Sequence, residues 1–316
     1  MPRLLIYNPE SDYALASGSP YYTPPRSVVR MRAENALLPS TYARGDDAIL
    51  VLDHIDVPQC NVRVLHPDDP IDWTRFEAYP WGWNHQIAHL LSVHCPGTRG
   101  IPSTEWLDAL RSLSHRRTTI SFLAEMPRPG IEPPIEFKSV QDAMVHYDSH
   151  PRLFVKAPWS SSGRGILFTP DINREQTEQW IRGAIRSQGS VMVEPAYDRI
   201  LDFATEWLIE DGIPHFLGVS VFQTSSRGKY HGNIHGTQAE LWDMIPGMTS
   251  DIVVRQKETI RRVIADRYHG PLGIDMLATA TGTIHPCVEI NLRNTMGSIL
   301  IRPDDRSLVA KFPSLF

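Results

Sequence analysis

The stretch FVKAPWSSSGRGI, residues 154–166, decides the fold that we expect for this chain. A short apolar run ends at Lys156, and the chain turns at Pro158. The residues that follow are mostly serine and glycine with one arginine. Such a loop brings backbone N–H groups close to an anion, because it carries little side chain to hold the anion away. A lysine at the end of the preceding strand can meet the same anion, so the pattern predicts a phosphate site.

The order of these residues excludes the commonest phosphate loop. A Walker loop reads GxxxxGK[ST] and places its lysine after the glycines. Here Lys156 comes first, on a strand, and the glycines Gly163 and Gly165 come after it. The phosphate site is therefore not that of a P-loop nucleotide hydrolase.

The composition is that of a soluble globular chain. It has 316 residues, 41% of them hydrophobic and 21% charged, with a formal net charge of −5, which argues against non-specific nucleic-acid binding. The three cysteines are odd in number and form no CxxC pair, which predicts neither a disulfide framework nor a structural zinc site. No apolar run approaches the length of a membrane span. We expect a cytoplasmic protein with no membrane or nucleic-acid partner.

The first part of the chain reads as an α/β domain. Buried strands are predicted at residues 3–7, 48–53 and 61–66, because each is a short apolar run that ends at a polar residue or proline. A helical spacing of apolar residues is present at 83–93. We place this domain at residues 1–110.

The rest of the chain divides into two further segments, 111–190 and 191–316. The first carries the Lys156 strand and its loop, and the second is richer in strands. Two hairpins are predicted in it, one turning at Asp211–Gly212 and the other at Thr281–Gly282.

The second hairpin carries oxygen ligands on one face. Glu289 and Asn291 lie two residues apart on its second strand and therefore share a face, and pairing across the turn can bring Asp275 to the same face. Two carboxylates and an amide oxygen suit Mg²⁺, which is usually held together with nucleotide phosphates. The alternative is a solvated polar face of an antiparallel sheet.

Taken together, these features resemble the ATP-grasp superfamily. The ordered set is Lys156 with its Ser/Gly loop, an acidic strand end at Glu194, and Asp275 followed by Glu289-x-Asn291-x-Arg293, and it spans residues 105–300. The resemblance implies an ATP-grasp fold, in which two α+β subdomains clamp ATP. Residues 1–110 then resemble the small Rossmann-like, parallel-sheet domain that usually precedes it, with 111–190 as the central and 191–316 as the C-terminal subdomain.

The resemblance also implies roles for individual residues. Lys156 contacts the α- and β-phosphates, residues 160–165 form a flap over them, Asp202 meets the ribose, and Arg293 neutralises the transferring phosphoryl group. An arginine, either Arg116 or Arg117, replaces the family's second phosphate-binding lysine. The implied nucleotide-binding residues are Arg116, Arg117, Lys156, Ser160, Ser161, Ser162, Gly163, Gly165, Glu194, Pro195, Ala196, Tyr197 and Asp202. The implied catalytic residues are Lys156 and Arg293, and Asp275, Glu289 and Asn291 hold Mg²⁺, with Mn²⁺ as the other candidate ion.

The activity implied by the resemblance is that of an ATP-dependent carboxylate–amine ligase. ATP phosphorylates a small-molecule carboxylate, an amine attacks the acyl phosphate, and ADP and phosphate leave. An ATP-grasp kinase and a non-catalytic nucleotide-binding protein are the alternatives. The intact Asp275, Glu289, Asn291 and Arg293 set speaks against the binding-only alternative. The identity of the two substrates and the oligomeric state stay open, a homodimer being common among such proteins.

Two N-terminal stretches and one loop are candidates for contact with these substrates. They come after predicted strand ends or lie where the family places substrate-facing loops, and their candidate residues are Asn8, Glu10, Asp12, Trp83, Asn84, Lys229, His231 and Asn233. The alternatives are helix capping for the acids, core packing for the tryptophan and an ordinary polar loop at 228–235. A zinc site at His231 and His235 is disfavoured, because Gly232 makes a helix between them poor.

Overall fold

The computed structural model describes residues 1–53, 55–150, 152–160, 165–225, 230–302 and 304–315. The chain divides into two compact units, Met1–Ser112 and Leu113–Phe316. Each unit has its own sheets.

The first unit contains a four-stranded parallel sheet with the strand order β3-β2-β1-β4. Its strands are β1 (Arg3–Ile6), β2 (Ala48–Leu50), β3 (Arg63–Leu65) and β4 (Glu77–Pro80). Its helices are α1 (Ser11–Ser17), α2 (Arg26–Glu34), α3 (His85–His94) and α4 (Thr104–Leu113), the last ending at the unit boundary. The three strands predicted from the sequence are thus confirmed, and β4 joins them.

The central strand β1 is buried on both faces. Leu4 and Ile6 pack in one apolar cluster with Ile87 and Leu91 of α3, whereas Leu5 packs with Ile49 in a second cluster on the opposite face. Successive side chains of a strand point to opposite faces, so a strand covered on both sides must be apolar throughout. This explains the uninterrupted apolar run Leu-Leu-Ile at residues 4–6.

The second unit begins with an antiparallel four-stranded sheet of order β5-β8-β6-β7. Its strands are β5 (Ile135–Phe137), β6 (Leu153–Lys156), β7 (Ile166–Phe168) and β8 (Val191–Pro195). Helices α5 (Thr118–Glu125), α6 (Val140–Ser149) and α7 (Arg174–Gln188) belong to the same stretch of chain. Because β8 pairs with β6, the last strand of this sheet lies beyond residue 190, where the sequence placed the start of the C-terminal subdomain.

A five-stranded antiparallel sheet of order β11-β10-β9-β12-β13 completes the second unit. Its strands are β9 (Arg199–Glu210), β10 (Ile213–Thr224), β11 (Tyr230–Asn233), β12 (Gly270–Thr279) and β13 (Ile284–Asn291). The remaining helices are α8 (Gln238–Asp243), α9 (Ser250–Val263) and α10 (Ser307–Lys311). Among the described residues, no helix combines the length and the apolar character needed to cross a membrane.

Both predicted hairpins are confirmed. The β9–β10 turn consists of Asp211 and Gly212 with φ of 50° and 74°, the left-handed values that a two-residue hairpin turn needs at both positions. The β12–β13 hairpin turns around Thr281–Gly282, where Gly282 has φ of 78°.

Candidate functional site

A cleft of about 470 Å³ opens between the two sheets of the second unit. Residues of β6, β7 and β8 line it from the four-stranded sheet, and residues of β9, β10, β12 and β13 line it from the five-stranded sheet. Six of the residues predicted to bind nucleotide line this cleft together with two of the predicted metal ligands, and these are Lys156, Glu194, Pro195, Ala196, Tyr197, Asp202, Asp275 and Glu289.

Apolar side chains lie on both sides of the cleft. Phe154 and Phe168 lie on the four-stranded sheet with their ring centroids 4.9 Å apart, and Leu277 and Val288 line the facing side. The strand end at residues 194–197 borders the same space. Apolar side chains on two sides suit a flat aromatic ligand such as a purine base.

Lys156 and Glu194 form an ion pair in the wall of this cleft. Their strands pair so that Phe154 faces Glu194 and Lys156 faces Met192, which makes Lys156 and Glu194 diagonal neighbours on one face. Both side chains are largely buried. A cation held in a poorly solvated wall is well placed to bind an anionic group of a ligand.

Arg116, just before α5, brings a second cation to the loop after Lys156. Its side chain is buried and donates to the Ala157 carbonyl (3.1 Å) and to Ser160 Oγ (2.9 Å). The same guanidinium lies 2.7 Å from Glu289. Arg117 instead lies 3.3 Å from Glu136. Of the two arginines left open by the sequence, Arg116 is thus the one that contacts the loop and Glu289, a residue of the cleft.

The loop after Lys156 is tied at both ends. The Ala157 N–H donates to the Gly165 carbonyl (2.8 Å), and Gly165 has φ of 70°. A Cβ at Gly165 would lie 2.8 Å from the Cβ of the buried Ser160, so the position requires glycine. The predicted flap residues Ser161, Ser162 and Gly163 lie outside the described residues.

The three predicted metal ligands converge as the sequence indicated. Asp275 and Glu289 are directly opposite each other on β12 and β13, and Asn291 donates a hydrogen bond to Asp275. Burial, followed by repulsion from Glu289 and Glu206, raises the pKa of Asp275 to about 8. Crowded carboxylates of this kind are stabilised by a cation between them.

The side-chain oxygens of Asp275, Glu289 and Asn291 match the kind and the number of protein ligands that Mg²⁺ usually has. In the described part of the chain, no group of three or more His, Cys, Asp or Glu side chains is arranged to hold a metal ion. A site at Asp275 and Glu289 therefore depends on the amide oxygen of Asn291 and on oxygens of the ligand. This is the usual arrangement for Mg²⁺, which takes one or two carboxylates and completes its shell with phosphates and water.

Arg293 borders a second cavity of about 170 Å³, which shares Asp275 and Glu289 with the main cleft. Its Nη2 donates to Asn291 Oδ1 (2.8 Å) and its Nη1 donates to the Asn294 carbonyl (3.1 Å). The guanidinium thus lies next to the three metal-ligand candidates.

Two candidate functional residues were not predicted from the sequence. Glu206 is fully buried on β9 and lines the second cavity, and His285 is buried on β13 beside the Tyr197 ring, with centroids 5.4 Å apart. Glu206 could have been found from the sequence, because the alternation of side chains along β9 places it on the same face as Asp202 and Ala204. The pairing of β13 with β12 decides the environment of His285, and no local pattern reveals it.

Of the other predicted residues in this unit, Asp202 and Asn233 border the cavities. Asp202 interacts with Arg199 (3.4 Å) and Thr224 and borders the main cleft. Asn233 lines the second cavity and accepts a hydrogen bond from Tyr230. His231 is exposed on β11. Lys229 lies outside the described residues.

In the first unit, Asn8 and Asn84 have structural partners. Both are fully buried, and Asn8 Nδ2 donates to the Gly82 carbonyl (2.8 Å). Asn84 caps α3, its Oδ1 accepting from the Ile87 N–H (2.9 Å). Trp83 packs against the apolar cluster around α3. The packing of Trp83 corresponds to the core-packing alternative, and contact with substrate stays a prediction for these three residues.

The two predicted acids of the first unit lie at the start of α1. Glu10 is fully buried and pairs with Arg32, which also binds Asp53 (2.7 Å). Burial raises the pKa of Glu10 despite this partner. Asp12 lies in the first turn of the helix, where a negative charge is favourable.

No protein-family model and no curated protein matches the chain, whereas solved structures do. Biotin carboxylase of Campylobacter jejuni, in a βγ-ATP complex, matches at 13% identity and a TM-score of 0.55 over 95% of this chain and 67% of that one. L-amino acid ligase from Bacillus licheniformis matches at 14% identity and a TM-score of 0.52, over 95% and 69%. The Staphylococcus aureus N5-carboxyaminoimidazole synthetase complexed with ADP matches at 11% identity and a TM-score of 0.52, over 93% and 71%. The chain has the ATP-grasp fold.

An ATP-grasp fold accounts for the two facing sheets and the parallel-sheet unit, and so confirms the fold expected from the sequence. At these identities the likeness concerns the fold, and the activities named belong to the other proteins. The chain spans about half the length of another matching structure.

Proposed function

We propose that this ATP-grasp chain is an ATP- and Mg²⁺-dependent ligase that joins a small-molecule carboxylate to an amine. The supporting observation is that apolar and charged side chains line the same cleft. Its apolar lining includes Phe154, Phe168, Leu277 and Val288, and its charged lining includes Lys156, Asp275 and Glu289. Arg116 pairs with Glu289, and Arg293 lines the adjoining cavity. A nucleotide whose base packs against the apolar side chains would have its phosphates near the charged ones.

The proposed reaction has two steps. A carboxylate oxygen of the first substrate attacks the γ-phosphorus of ATP, the bond to the bridging oxygen breaks, and ADP leaves. The amine nitrogen of the second substrate then attacks the acyl carbon, the bond to phosphate breaks, and the amine loses a proton. The products are an amide, ADP and phosphate.

The residues of the chain contribute charge and position to this reaction. Lys156 and Arg116 would hold the α- and β-phosphates, and Arg293 would neutralise the charge on the transferring group. Asp275, Glu289 and Asn291 would hold Mg²⁺, which supplies Lewis-acid polarisation of the phosphate oxygens. Asp202 would bind the ribose hydroxyls. Mn²⁺ as a substitute ion, a homodimeric assembly and a cytoplasmic location stay predictions.

Thermal unfolding with a non-hydrolysable ATP analogue tests the nucleotide and metal parts of the proposal. A ligand that binds only the folded state raises the melting temperature, by an amount that grows with its concentration over Kd. We expect an increase that requires Mg²⁺ and that Glu289→Gln abolishes. Glu210→Gln is the matched control, because it makes the same change at an exposed strand end.

A substrate screen tests the reaction itself. ADP release should require both a carboxylate and an amine, and mass spectrometry should find an amide. A stable phosphoester in place of the amide would identify a kinase, and nucleotide binding with no ADP release from any pair would favour a binding protein. Absence of any Mg²⁺-dependent thermal shift would contradict the assignment of the cleft to ATP.

A further inference from the structure

Glu206 is a buried acid for which the proposed reaction has no role. It lies near the middle of β9 with 1% of its surface exposed. Charged side chains are rarely buried to this extent unless they are paired. Strand alternation places it on the same face as Asp202 and Ala204, and it lines the 170 Å³ cavity beside Arg293.

Both carboxylate oxygens of Glu206 accept hydrogen bonds from hydroxyl groups. Ser220 Oγ of the neighbouring strand β10 donates to Oε1 (2.8 Å), and Thr295 Oγ1 donates to Oε2 (2.9 Å). Thr295 Oγ1 also accepts from the Ser298 N–H (2.9 Å), and Ser298 Oγ donates back to the Thr295 carbonyl (3.0 Å). The acid therefore fixes the orientation of the hydroxyl that holds the 295–298 turn together.

Two glycines make room for this acid. A Cβ at Gly297 would lie 2.2 Å from Glu206 Oε1, and a Cβ at Gly273 would lie 3.0 Å from Oε2 and 2.6 Å from Thr295 Cγ2. Real side chains essentially never approach so closely, so β12 and the 295–298 turn can enclose Glu206 only with glycine at both positions. The acid, the turn and the strands form one closely packed unit.

The turn connects Glu206 to Arg293. Arg293 Nη1 donates to the carbonyl of Asn294, which immediately precedes Thr295, and Glu206 also attracts Arg293 electrostatically. We propose that Glu206 is a positioning residue that holds the 295–298 turn, and through it the Arg293 guanidinium, in place for the terminal phosphoryl group of ATP. This inference rests on the proposed function, because it takes Arg293 to contact that group.

The charge of Glu206 distinguishes it from a glutamine at the same position. A glutamine of the same shape could bond the two hydroxyls without the cost of burying a carboxylate, but it would not attract Arg293. Burial raises the pKa of Glu206 to about 7, and the hydrogen bonds from Ser220 and Thr295 and the charge of Arg293 oppose this rise.

Calorimetric titration with two nucleotides tests the inference without knowledge of the substrates. With Mg²⁺ present at pH 8, the wild type should bind AMP-PNP more tightly than ADP, because only AMP-PNP offers a terminal phosphoryl group to Arg293. Glu206→Gln should reduce this preference about tenfold, the worth of one charge-assisted hydrogen bond, and leave ADP affinity within about twofold. Thr295→Val removes the hydroxyl and keeps the acid, and it should give a similar reduction even if Glu206→Gln does not fold.

Thr205→Val is the matched control for lost stability. Thr205 is the neighbour of Glu206 on β9, is fully buried and donates to Gln256 (3.0 Å), so its replacement also breaks a buried hydrogen bond. It should leave the AMP-PNP preference unchanged. In Arg293→Lys the preference for AMP-PNP over ADP should be lost. Adding Glu206→Gln to that variant should cause no further change in the two affinities.

The outcomes separate the two proposals. An AMP-PNP preference that Glu206→Gln and Thr295→Val leave unchanged or strengthen would overturn the positioning role, and so would an equal loss in Thr205→Val. A wild type that binds neither nucleotide would overturn the assignment of the site to ATP. A wild type that binds both without a preference that depends on Arg293 would overturn the role of Arg293, and with it the positioning role of Glu206.

Discussion

Arg116 Nη2 lies 2.7 Å from Glu289 Oε1, so a buried cation of the chain holds a carboxylate that we assign to Mg²⁺. The same guanidinium bonds Ala157 and Ser160 in the loop after Lys156. Arg116 Nη1 is buried with no hydrogen-bond partner in the part of the chain that the structure describes. One side chain thus connects the phosphate loop to the metal site and keeps a donor that a phosphate oxygen can use.

Replacement of Arg116 should therefore change the affinities for Mg²⁺ and for ATP in opposite directions. In Arg116→Gln, Glu289 loses a competing cation, and Mg²⁺ alone should bind several-fold more tightly. ATP should bind about tenfold more weakly, because a charge-assisted hydrogen bond to phosphate is lost. Calorimetric titrations with Mg²⁺ alone and with ATP alone measure the two effects.

Arg117→Gln is the control for this prediction. Arg117 is adjacent in sequence and about half-exposed, and its partner is Glu136, so its replacement should change neither affinity. Weaker binding of Mg²⁺ in Arg116→Gln would show that Arg116 supports the metal site and does not compete with it.

Variants of the Lys156–Glu194 pair should affect protein stability and ATP affinity differently. Lys156→Met leaves Glu194 as a largely buried acid without its partner, and breaking such a pair costs about 3–5 kcal/mol. Lys156→Met combined with Glu194→Gln should recover most of the lost stability in urea denaturation, because no charge is left unpaired. ATP affinity should stay low in both variants, since the phosphate-binding cation is absent. Recovery of ATP affinity in the double variant would contradict a phosphate role for Lys156.

The elements that could be predicted from the sequence are those with local causes. The apolar run at β1, the Asp211–Gly212 turn and the period-2 spacing of Glu289 and Asn291 are local patterns, and each was confirmed in position. The pairing of Asp275 with Glu289 required one further assumption, that the two strands flank a short turn.

The relationships that could not be predicted are those between distant segments. Arg116 meets Glu289 across 173 positions of sequence, and Glu206 meets Thr295 across 89. Neither contact has a local pattern, because it exists only once the two sheets and α5 have assembled. The pairing of β8 with β6, which is more than 30 residues upstream, likewise has no local pattern.

Two glycines should respond to alanine with opposite signs. Gly212 has φ of 74° in the β9–β10 turn, where a Cβ is strained, and Gly212→Ala should lower the free energy of unfolding by about 1 kcal/mol. Gly183 lies inside α7 with open space around its Cβ position, and Gly183→Ala should raise it by about 0.8–1 kcal/mol. Urea denaturation of the two variants measures both. Stabilisation by Gly212→Ala would show that the turn is not left-handed there.

His285 should make the chain sensitive to acid. Burial, followed by repulsion from Lys156, lowers the pKa of His285 from 6.5 to about 3. Between these values the unfolded chain binds a proton that the folded chain does not. The free energy of unfolding therefore falls as the pH falls from 6.5 towards 3, by at most about 1.4 kcal/mol per pH unit from this group.

The difference between wild type and His285→Gln isolates this contribution. The carboxyls of Asp275 and Glu206 have raised pKa values and act with the opposite sign, since their protons stay bound in the folded chain as the pH rises above 4. They titrate in both proteins and largely cancel in the difference. Urea denaturation from pH 4 to 7 should give a stability advantage of His285→Gln over wild type that grows as the pH falls. The exposed control His231→Gln should show no such trend. Absence of the trend in His285→Gln would mean that the imidazole of His285 is protonated in the folded protein.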